Sequence, residues 1–192
     1  MSGLPASLLF ACSENSVRSP IAAALARRLY GQSSYIDSAG VRASAVDGFA
    51  VQALDEIGID VHHHHAKTFD DVDPASFDVI VTLSPEAHHQ ALEFTRGTAA
   101  EVEYWPVPDP SVVEGTREMR LDAYRRLRDM ILMRLKTRFG APAEPAAGRK
   151  RYDFIVTCVK PVSYSGDHRS AVARLAAQHP DQEQDRHHRQ VL

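Results

Sequence analysis

The sequence predicts an α/β fold: a three-layer arrangement of a four-stranded parallel sheet with flanking helices, followed by an appended C-terminal tail. Two observations carry this prediction. Short apolar runs typical of buried strands alternate along the chain with longer helical segments, and such alternation favours parallel strands covered on both faces. A length of 192 residues is enough for one domain of this kind, with some residues left over.

The predicted elements follow one another in a regular order. Strands are predicted at residues 6–11, 34–38, 77–84 and 101–107. Helices are predicted at residues 19–31, 47–58, 85–97 and 116–139. Ser19 and Asp47 are expected to cap the first two helices, whereas Gly31, Gly58 and Gly140 are expected to end the first, second and fourth.

The chain divides by composition into a domain at residues 1–140 and a linker with a partly disordered tail at residues 141–192. The linker is recognised by the Pro- and Ala-rich run "APAEPAAG". The tail contains a short strand-like core, "RYDFIVTCVKP", and ends in a polar stretch. We expect a flexible appendage, and an added edge strand or a pairing role is the alternative.

Charge and cysteine content exclude several classes of function. Residues 1–148 carry a net charge of −6 and residues 149–192 one of +3, a poor balance for nucleic-acid binding. No apolar run approaches the roughly 20 residues of a membrane span. Two cysteines form no disulfide framework, which favours a reducing cytoplasm. We therefore expect a cytoplasmic monomer or weak dimer with neither nucleic-acid nor membrane partners.

One short stretch, "FACSENSVRSP", carries the chemistry. Cys12 ends a strand, a polar loop follows, and Arg18 and Ser19 stand where a helix begins. Backbone N–H groups of such a loop and the helix N-terminus attract anions and stabilise a thiolate. The planar guanidinium of Arg18 can hold two phosphate oxygens, so one loop supplies both nucleophile and binding group. An inert buried thiol is the alternative for Cys12 taken alone.

The loop, with "DSAG" (37–40), "EIGID" (56–60), "FDVIVTLS" (77–84) and "PDPS" (108–111), resembles the low-molecular-weight protein tyrosine phosphatase family, whose fold the thioredoxin-coupled arsenate reductases share. The resemblance covers residues 6–139. It implies a nucleophile at Cys12, a general acid at Asp109, and no metal or organic cofactor. Phosphate is expected to be bound by Arg18 together with the rest of the loop, namely Ser13, Glu14, Asn15, Ser16, Val17 and Ser19.

The chain also departs from the family's pattern. Glu14 replaces a frequent glycine, and it either repels or narrows the choice of substrate or points to solvent. Val17 stands where many members carry a second cysteine, and Ala23 where an acidic residue is frequent. Ser84 follows the third strand without the thiols of the three-cysteine arsenate reductases. No aromatic residue follows Asp109, which weakens the expectation of phosphotyrosine activity.

Histidines 62–65 invite a metal interpretation, but four consecutive side chains cannot converge on one ion from a rigid element, so an exposed connector is predicted. His88 and His89 are expected to be one exposed and one partly packed. The leading hypothesis is a phosphomonoester hydrolase acting on a phosphorylated protein or a small phosphoester. An arsenate reductase that uses an external thiol, and a phosphate- or phosphopeptide-binding module with little turnover, are the alternatives.

Overall fold

The computed structural model of the protein describes residues 3–141, where strands and long helices alternate as predicted. The strands are β1 (Ser7–Cys12), β2 (Tyr35–Gly40), β3 (Val79–Thr82) and β4 (Glu101–Tyr104). The helices are α1 (Arg18–Tyr30), α2 (Gly48–Asp55), α3 (Pro85–Phe94) and α4 (Arg117–Phe139). Short 3-10 helices, which the sequence patterns did not reveal, occur at Phe69–Asp71, Pro74–Ser76 and Pro110–Val112. The predictions for the tail, including Cys158, fall outside the described residues.

All four strands are parallel and lie in the order β2-β1-β3-β4, which confirms the predicted fold class. Because parallel strands end at the same edge of a sheet, the loops that follow them are neighbours. In the register of the sheet, Cys12 lies opposite Gly40, and the preceding Ala11 lies opposite Thr82. The carboxyl end of the central strand β1 is therefore surrounded by segments that follow β2 and β3.

Side chains of β1 alternate between the two faces of the sheet. Leu8, Phe10 and Cys12 belong to the larger core, to which α1, α2 and α4 contribute. Leu9 and Ala11 belong to a smaller core on the other face, to which α3 contributes. The alternation thus turns the Cys12 side chain toward the N-terminus of α1.

The helix ends agree with the predictions at several positions and disagree at two. Gly58 was expected to end α2, but the helix stops at Asp55 and Gly58 lies in the turn after it. Asp47 caps α2 by accepting hydrogen bonds from the backbone N–H groups of its second and third residues, and Gly31 and Gly140 end α1 and α4. The prediction that Ser19 caps α1 is wrong. Val17 occupies the cap position without a side-chain cap bond, and Ser19 lies one residue inside the helix, fully buried. Its hydroxyl is therefore available to the site. None of the helices within residues 3–141 is long and apolar enough to span a bilayer.

Candidate active site

The loop that follows β1, here named the cysteine loop (residues 12–18), is held by a second backbone segment. That segment, the wall segment (residues 41–47), directly follows β2. N–H groups of Val41, Arg42, Ser44 and Asp47 donate to the carbonyls of Cys12, Ser13, Glu14 and Ser16, respectively, at 2.8–3.1 Å. Because these carbonyls turn outward to the wall segment, the loop's N–H groups are left to face the other way.

The N–H groups of residues 14–17 donate no hydrogen bond to any atom in the described part of the chain. They lie immediately before the N-terminus of α1, whose first N–H groups also lack partners within the helix. Such a concave row of unpaired donors, together with the helix dipole, binds anions. This is the arrangement that an oxyanion cradle requires, and phosphate binding by the loop stays a prediction.

Gly40 permits the close approach of the two segments. A Cβ atom at this position would lie 2.4 Å from the carbonyl oxygen of Arg42 and 2.7 Å from the backbone nitrogen of Asn15. Both are backbone atoms, which have no room to move aside. The glycine of "DSAG" is thus required by the packing of the wall segment against the cysteine loop.

Cys12 is 2% exposed, and its Sγ lies 3.0 Å from the hydroxyl of Ser19. The same hydroxyl accepts a hydrogen bond from Nδ2 of Asn15 at 2.9 Å and lies 3.2 Å from the carbonyl of Ala39. When Cys12 is a thiol, its S–H can donate to Ser19, which then donates to Ala39. When Cys12 is a thiolate, Ser19 donates to sulfur instead. Ser19 is thus placed to hydrogen-bond Cys12 in either protonation state of the sulfur.

Asn15 takes the left-handed conformation, with φ of 49°, at the tightest point of the loop. Its side-chain oxygen accepts from the backbone N–H of Lys67 at 2.9 Å. Nε2 of His64 lies 3.1 Å from that oxygen and 3.2 Å from the carbonyl of Asn15, and because both are acceptors, Nε2 must carry the proton. His64 thus fixes the cysteine loop by hydrogen bonds to Asn15.

The prediction that histidines 62–65 form an exposed connector is correct for three of them and wrong for His64, which is half-buried. Burial is the main cause that lowers the pKa of His64, so the neutral imidazole is favoured. Sequence reasoning missed this residue because neighbouring histidines look alike.

Arg18 and Asp109 lie together. Nη2 of Arg18 is 3.0 Å from Oδ2 of Asp109 and 3.4 Å from the hydroxyl of Ser13. The other oxygen of Asp109 accepts from the N–H and the hydroxyl of Ser111, at 3.0 and 2.7 Å. Cys12, Arg18 and Asp109 line one cavity of about 450 Å³. The structure thus brings together the three predicted catalytic residues, although they come from distant parts of the chain.

The arrangement has counterparts in known proteins. The family model for the low molecular weight phosphotyrosine protein phosphatases matches residues 7–141, which is most of the chain. The chain belongs to this family. An arsenate reductase from Halalkalibacterium halodurans is 34% identical over 132 residues, which cover 68% of this chain and 92% of that protein. The family therefore includes both phosphatases and proteins named as arsenate reductases.

Solved structures with low identity show that the fold is shared. An arsenate reductase in its phosphate-binding state aligns with a TM-score of 0.58 at 23% identity, covering 68% of this chain and 94% of the other. The tyrosine phosphatase Wzb from Escherichia coli K30, in complex with sulphate, aligns with a TM-score of 0.58 at 22% identity, covering 70% of this chain and 98% of Wzb.

The cavity that Cys12 lines has a polar rim. Glu86, at the N-terminus of α3, forms a two-pronged ion pair with Arg42, with distances of 2.6 and 3.2 Å. The hydrogen bond from Arg42 is the main cause that lowers the pKa of Glu86. Glu14 points outward, with 52% of its side chain exposed, and one of its oxygens lies 3.9 Å from the same guanidinium. The Glu14 side chain thus faces solvent at the cavity mouth, and its effect on substrate choice stays a prediction.

Aromatic residues are absent from the described residues that line this cavity. Trp105 is buried and packs edge-to-face on Phe10, with ring centroids 6.4 Å apart. Tyr104 stacks instead on His88, which is partly packed as predicted. The aromatic pair that precedes the Asp-Pro motif therefore has no part in the cavity wall.

Sequence reasoning did not predict that Arg42, Ser44 and Asp47 line the cavity. It recognised Asp47 only as a helix cap. Nothing in the residue pattern shows that the wall segment runs alongside the cysteine loop. The hydroxyl of Tyr124 is buried close to Asp47. Burial is the main cause that raises the pKa of Tyr124, and the negative charge of Asp47 is the next. Tyr124 therefore stays protonated beside two acidic groups of the cavity, Asp47 and Asp109.

One exposed group could hold a metal ion in principle. Ligand atoms of Asp55, Asp60 and His62 all lie within 4.8 Å of one another, at the end of α2 and in the turn after it. Nδ1 of His62 is already 2.9 Å from Asp60, and this hydrogen bond is the main cause that raises the pKa of His62. These residues contribute nothing to the cavity of Cys12, and the predicted absence of a metal from the chemistry stays a prediction.

Proposed function

We propose that the protein is a cysteine-dependent phosphomonoester hydrolase that works through a cysteinyl-phosphate intermediate. The observation that carries this proposal is that Cys12, Arg18 and Asp109 line one cavity. The N–H groups of residues 14–17, in the same loop as Cys12, have no acceptor among the described residues. Phosphoryl transfer through a covalent intermediate requires a nucleophile, a cradle for the oxygens and a proton donor. We assign these roles to Cys12, to Arg18 with the loop N–H groups, and to Asp109.

Substrate binding begins with an exchange of ion pairs. Arg18 is occupied by Asp109 in this structure, at 3.0 Å. A phosphate dianion offers the guanidinium two oxygens and also fills the row of N–H groups, so it displaces the single carboxylate. Asp109 is then released toward the leaving group and takes up from solvent the proton that it later donates. Its other neighbour, Ser111, lies in the same loop and moves with it.

In the first chemical step, Sγ of Cys12 attacks phosphorus on the face opposite the leaving oxygen. The S–P bond forms, the P–O bond breaks, and Asp109 gives its proton to the departing oxygen. The hydroxyl of Ser19, at 3.0 Å, donates to the sulfur while it is a thiolate and turns to the carbonyl of Ala39 once the sulfur is bonded to phosphorus.

In the second step, Asp109 acts as a base. A water molecule attacks phosphorus, the carboxylate takes one of its protons, and the P–S bond breaks. Inorganic phosphate leaves and the thiolate is restored, again accepting from Ser19. Because the nucleophile must remain reduced, we place this activity in the cytoplasm.

Hydrolysis of p-nitrophenyl phosphate tests the proposal. Replacing Cys12→Ser is expected to abolish turnover to the uncatalysed background while leaving thermal unfolding nearly unchanged. Cys158→Ser, which removes the chain's other cysteine, is the matched control and should retain the rate. Full activity in the Cys12→Ser protein would reject the mechanism. A panel of phosphotyrosine, phosphoserine and small phosphoesters then identifies the preferred ester.

A second candidate, arsenate reduction with an external thiol, is favoured by the 34% identity with an arsenate reductase. Sγ of Cys12 would attack arsenate with loss of water. An external thiolate would then attack that sulfur, so that the S–As bond breaks, its electron pair reduces arsenic to arsenite, and a mixed disulfide forms. A second thiol would restore Cys12 and release the oxidised thiol.

An external thiol is required because Cys12 is the only cysteine among residues 3–141. Arsenate-dependent consumption of a small-molecule thiol, lost in Cys12→Ser, would support this route. Phosphoester hydrolysis without thiol consumption would exclude it.

A further inference from the structure

One buried hydroxyl next to the cavity has no hydrogen-bond partner. The side chain of Tyr124, on α4, is fully buried in the larger core and packs against Phe49, with ring centroids 5.5 Å apart. Its hydroxyl makes no hydrogen bond to any of the described residues. Because an unpaired buried hydroxyl destabilises the state in which it occurs, it points to a partner that arrives in another state of the site.

Two carboxylates of the cavity lie near this hydroxyl. Asp47 and Asp109 both line the cavity of Cys12, and their negative charges add to burial in raising the pKa of Tyr124. The hydroxyl therefore keeps its proton at neutral pH and is a constant hydrogen-bond donor. Tyr124 can donate to a carboxylate, but it is neither the acid nor the base of the reaction.

Asp47 has the stronger influence on Tyr124, but it is not the acceptor in this structure. Its Oδ1 accepts from the backbone N–H groups of Phe49 and Ala50, at 2.8 and 3.3 Å, which fixes the carboxylate at the start of α2. From that place it does not meet the distance and angle of a hydrogen bond with the tyrosine hydroxyl. A helix cap keeps its place during a reaction, so Asp47 stays outside the reach of this donor.

Asp109 is the carboxylate that changes its partner in the proposed reaction. Oδ2 of Asp109 pairs with Arg18 at 3.0 Å, whereas Oδ1 accepts from Ser111, two residues away in the same loop. When a phosphoryl group takes Arg18, the bonds to Ser111 move with the loop and do not tie it to the rest of the protein. Tyr124 is a donor on a long helix, α4, close to the place where Asp109 is released.

We propose that Tyr124 is a positioning residue for Asp109, whose carboxyl group accepts a hydrogen bond from the tyrosine hydroxyl once a phosphoryl group has displaced Asp109 from Arg18. This inference rests on the phosphatase activity proposed for Cys12. One carboxyl oxygen is then held by donors. The other gives its proton to the leaving oxygen in the first step and takes a proton from water in the second, while Tyr124 keeps its own proton throughout.

The exchange of partners accounts for the unpaired hydroxyl. While Asp109 is paired with Arg18, Tyr124 lacks an acceptor, which raises the free energy of this arrangement. Release of Asp109 supplies the acceptor. Tyr124 therefore favours the arrangement in which Asp109 faces the leaving group over the one in which it blocks Arg18.

The test compares hydrolysis of phenyl phosphate and of p-nitrophenyl phosphate in Tyr124→Phe. Phenolate needs a proton on leaving and p-nitrophenolate needs it far less, so the ratio of the two kcat/KM values reports how well Asp109 is placed. Loss of one hydrogen bond should lower the ratio of phenyl to p-nitrophenyl phosphate about 3- to 10-fold. In Asp109→Asn, which has no proton to give, adding Tyr124→Phe should leave the ratio unchanged.

Tyr30→Phe is the matched control. It also removes one buried hydroxyl, which lies 2.7 Å from the carbonyl oxygen of Gly140, and it should lower stability without changing the ratio. Tyr124→Phe should unfold at no lower temperature than the unaltered protein, because its hydroxyl has no partner to lose.

Three results would overturn the inference. The first is an unchanged ratio in Tyr124→Phe. The second is a ratio that Tyr124→Phe lowers equally in the Asp109→Asn background, since Tyr124 would then act through another group. The third is a marked loss of stability in Tyr124→Phe, which would show that the hydroxyl is already bonded before substrate binds.

Binding of inorganic phosphate separates this inference from the proposed activity. Phosphate displaces Asp109 from Arg18 without a chemical step, so calorimetry should show about 3- to 10-fold weaker binding in Tyr124→Phe, and no such difference in the Asp109→Ala background. Turnover with an unchanged ratio in Tyr124→Phe leaves the hydrolase standing and rejects the role of Tyr124. Weaker phosphate binding that depends on Asp109, without turnover in the unaltered protein, rejects the hydrolase and retains the contact of Tyr124 with Asp109. Absence of both rejects both.

Discussion

The two loops that supply the proposed reactive groups differ in how they are held. The cysteine loop is fixed by backbone bonds from the wall segment and by side-chain bonds from Ser19 and His64. The Asp-Pro loop (residues 108–112) holds Asp109 through Ser111, two residues further along the chain, and through one ion pair with Arg18. The first loop is anchored by surrounding elements, whereas the second is anchored mainly by itself.

This difference matches the tasks that the two loops are proposed to perform. The nucleophile and the N–H groups have to be in place before substrate arrives, and preorganised donors stabilise developing charge without rearranging during the reaction. The acid has to leave Arg18 and follow the leaving oxygen. Rigidity in one loop and local anchoring in the other are therefore both useful.

The largest expected effect comes from the weakly anchored loop. Asp109→Asn removes the proton donor, and general acid catalysis contributes about 100- to 10,000-fold to a rate. The loss should be large for phenyl phosphate, whose leaving oxygen needs a proton, and much smaller for p-nitrophenyl phosphate. Steady-state kinetics with both esters measures the difference. An equal loss for the two esters would assign Asp109 to the binding of phosphate through Arg18 instead.

A smaller effect is expected from the anchored loop. Ser19→Ala removes the donor to the thiolate and leaves Nδ2 of Asn15 without its acceptor. Hydrogen bonds to charged groups contribute about 1.5–3 kcal/mol, so kcat/KM should fall about 10- to 100-fold. Ser111→Ala, which removes a hydroxyl bond in the exposed loop, should cost less. If Ser111→Ala is the more damaging change, the contrast between the loops is incorrect.

Stability should respond to the contact between the wall segment and the cysteine loop. Gly40→Ala forces a methyl group against two backbone atoms, and overpacking of this kind costs about 1–3 kcal/mol of unfolding free energy. Urea unfolding measures the change. Gly48→Ala, whose methyl group would meet no atom within 4 Å, is the control and should lose nothing. Equal stability of the two variants would show that the segments can move apart.

The smallest effect concerns pH. Since burial lowers the pKa of His64, the unfolded chain binds a proton more readily than the folded chain as pH falls below about 6.5, and stability is lost there. Because His64 is only half-buried, we expect a few tenths of a kcal/mol between pH 7.5 and 5.5. His64→Gln should lack this part of the pH dependence, and His65→Gln should keep it. The same pH dependence in all three proteins would contradict the assigned role.

Much of the fold was predictable because its signals are local. Apolar runs and helix-ending glycines located the strands and helices to within a few residues, and their alternation predicted the parallel sheet. The end of β1 then located Cys12 and Arg18, since position at a strand end follows from the chain alone. The order of the strands did not follow, because it depends on contacts between distant segments.

The site residues could be predicted only where the chemistry requires a fixed spacing along the chain, as between Cys12 and Arg18. Ser19 was expected at a helix cap, and the direction of its hydroxyl toward sulfur depends on a loop conformation that requires Asn15 in a left-handed state. His64 could not be told from its neighbours, because one residue of a histidine run reaches inward only through the path of the backbone. Arg42 lines the cavity through backbone bonds that no residue type signals.

The ion pair between Arg18 and Asp109 has a consequence for the end of the proposed catalytic cycle. A carboxylate that occupies the guanidinium in the empty site is an internal competitor of inorganic phosphate. It favours departure of the product and weakens product inhibition. It also lowers the affinity of the site for every other free anion, because each must displace the carboxylate. A phosphorylated substrate compensates for this lower affinity through the contacts that its remaining atoms make at the cavity mouth. The Asp109 carboxylate therefore makes the site bind whole substrates in preference to phosphate alone.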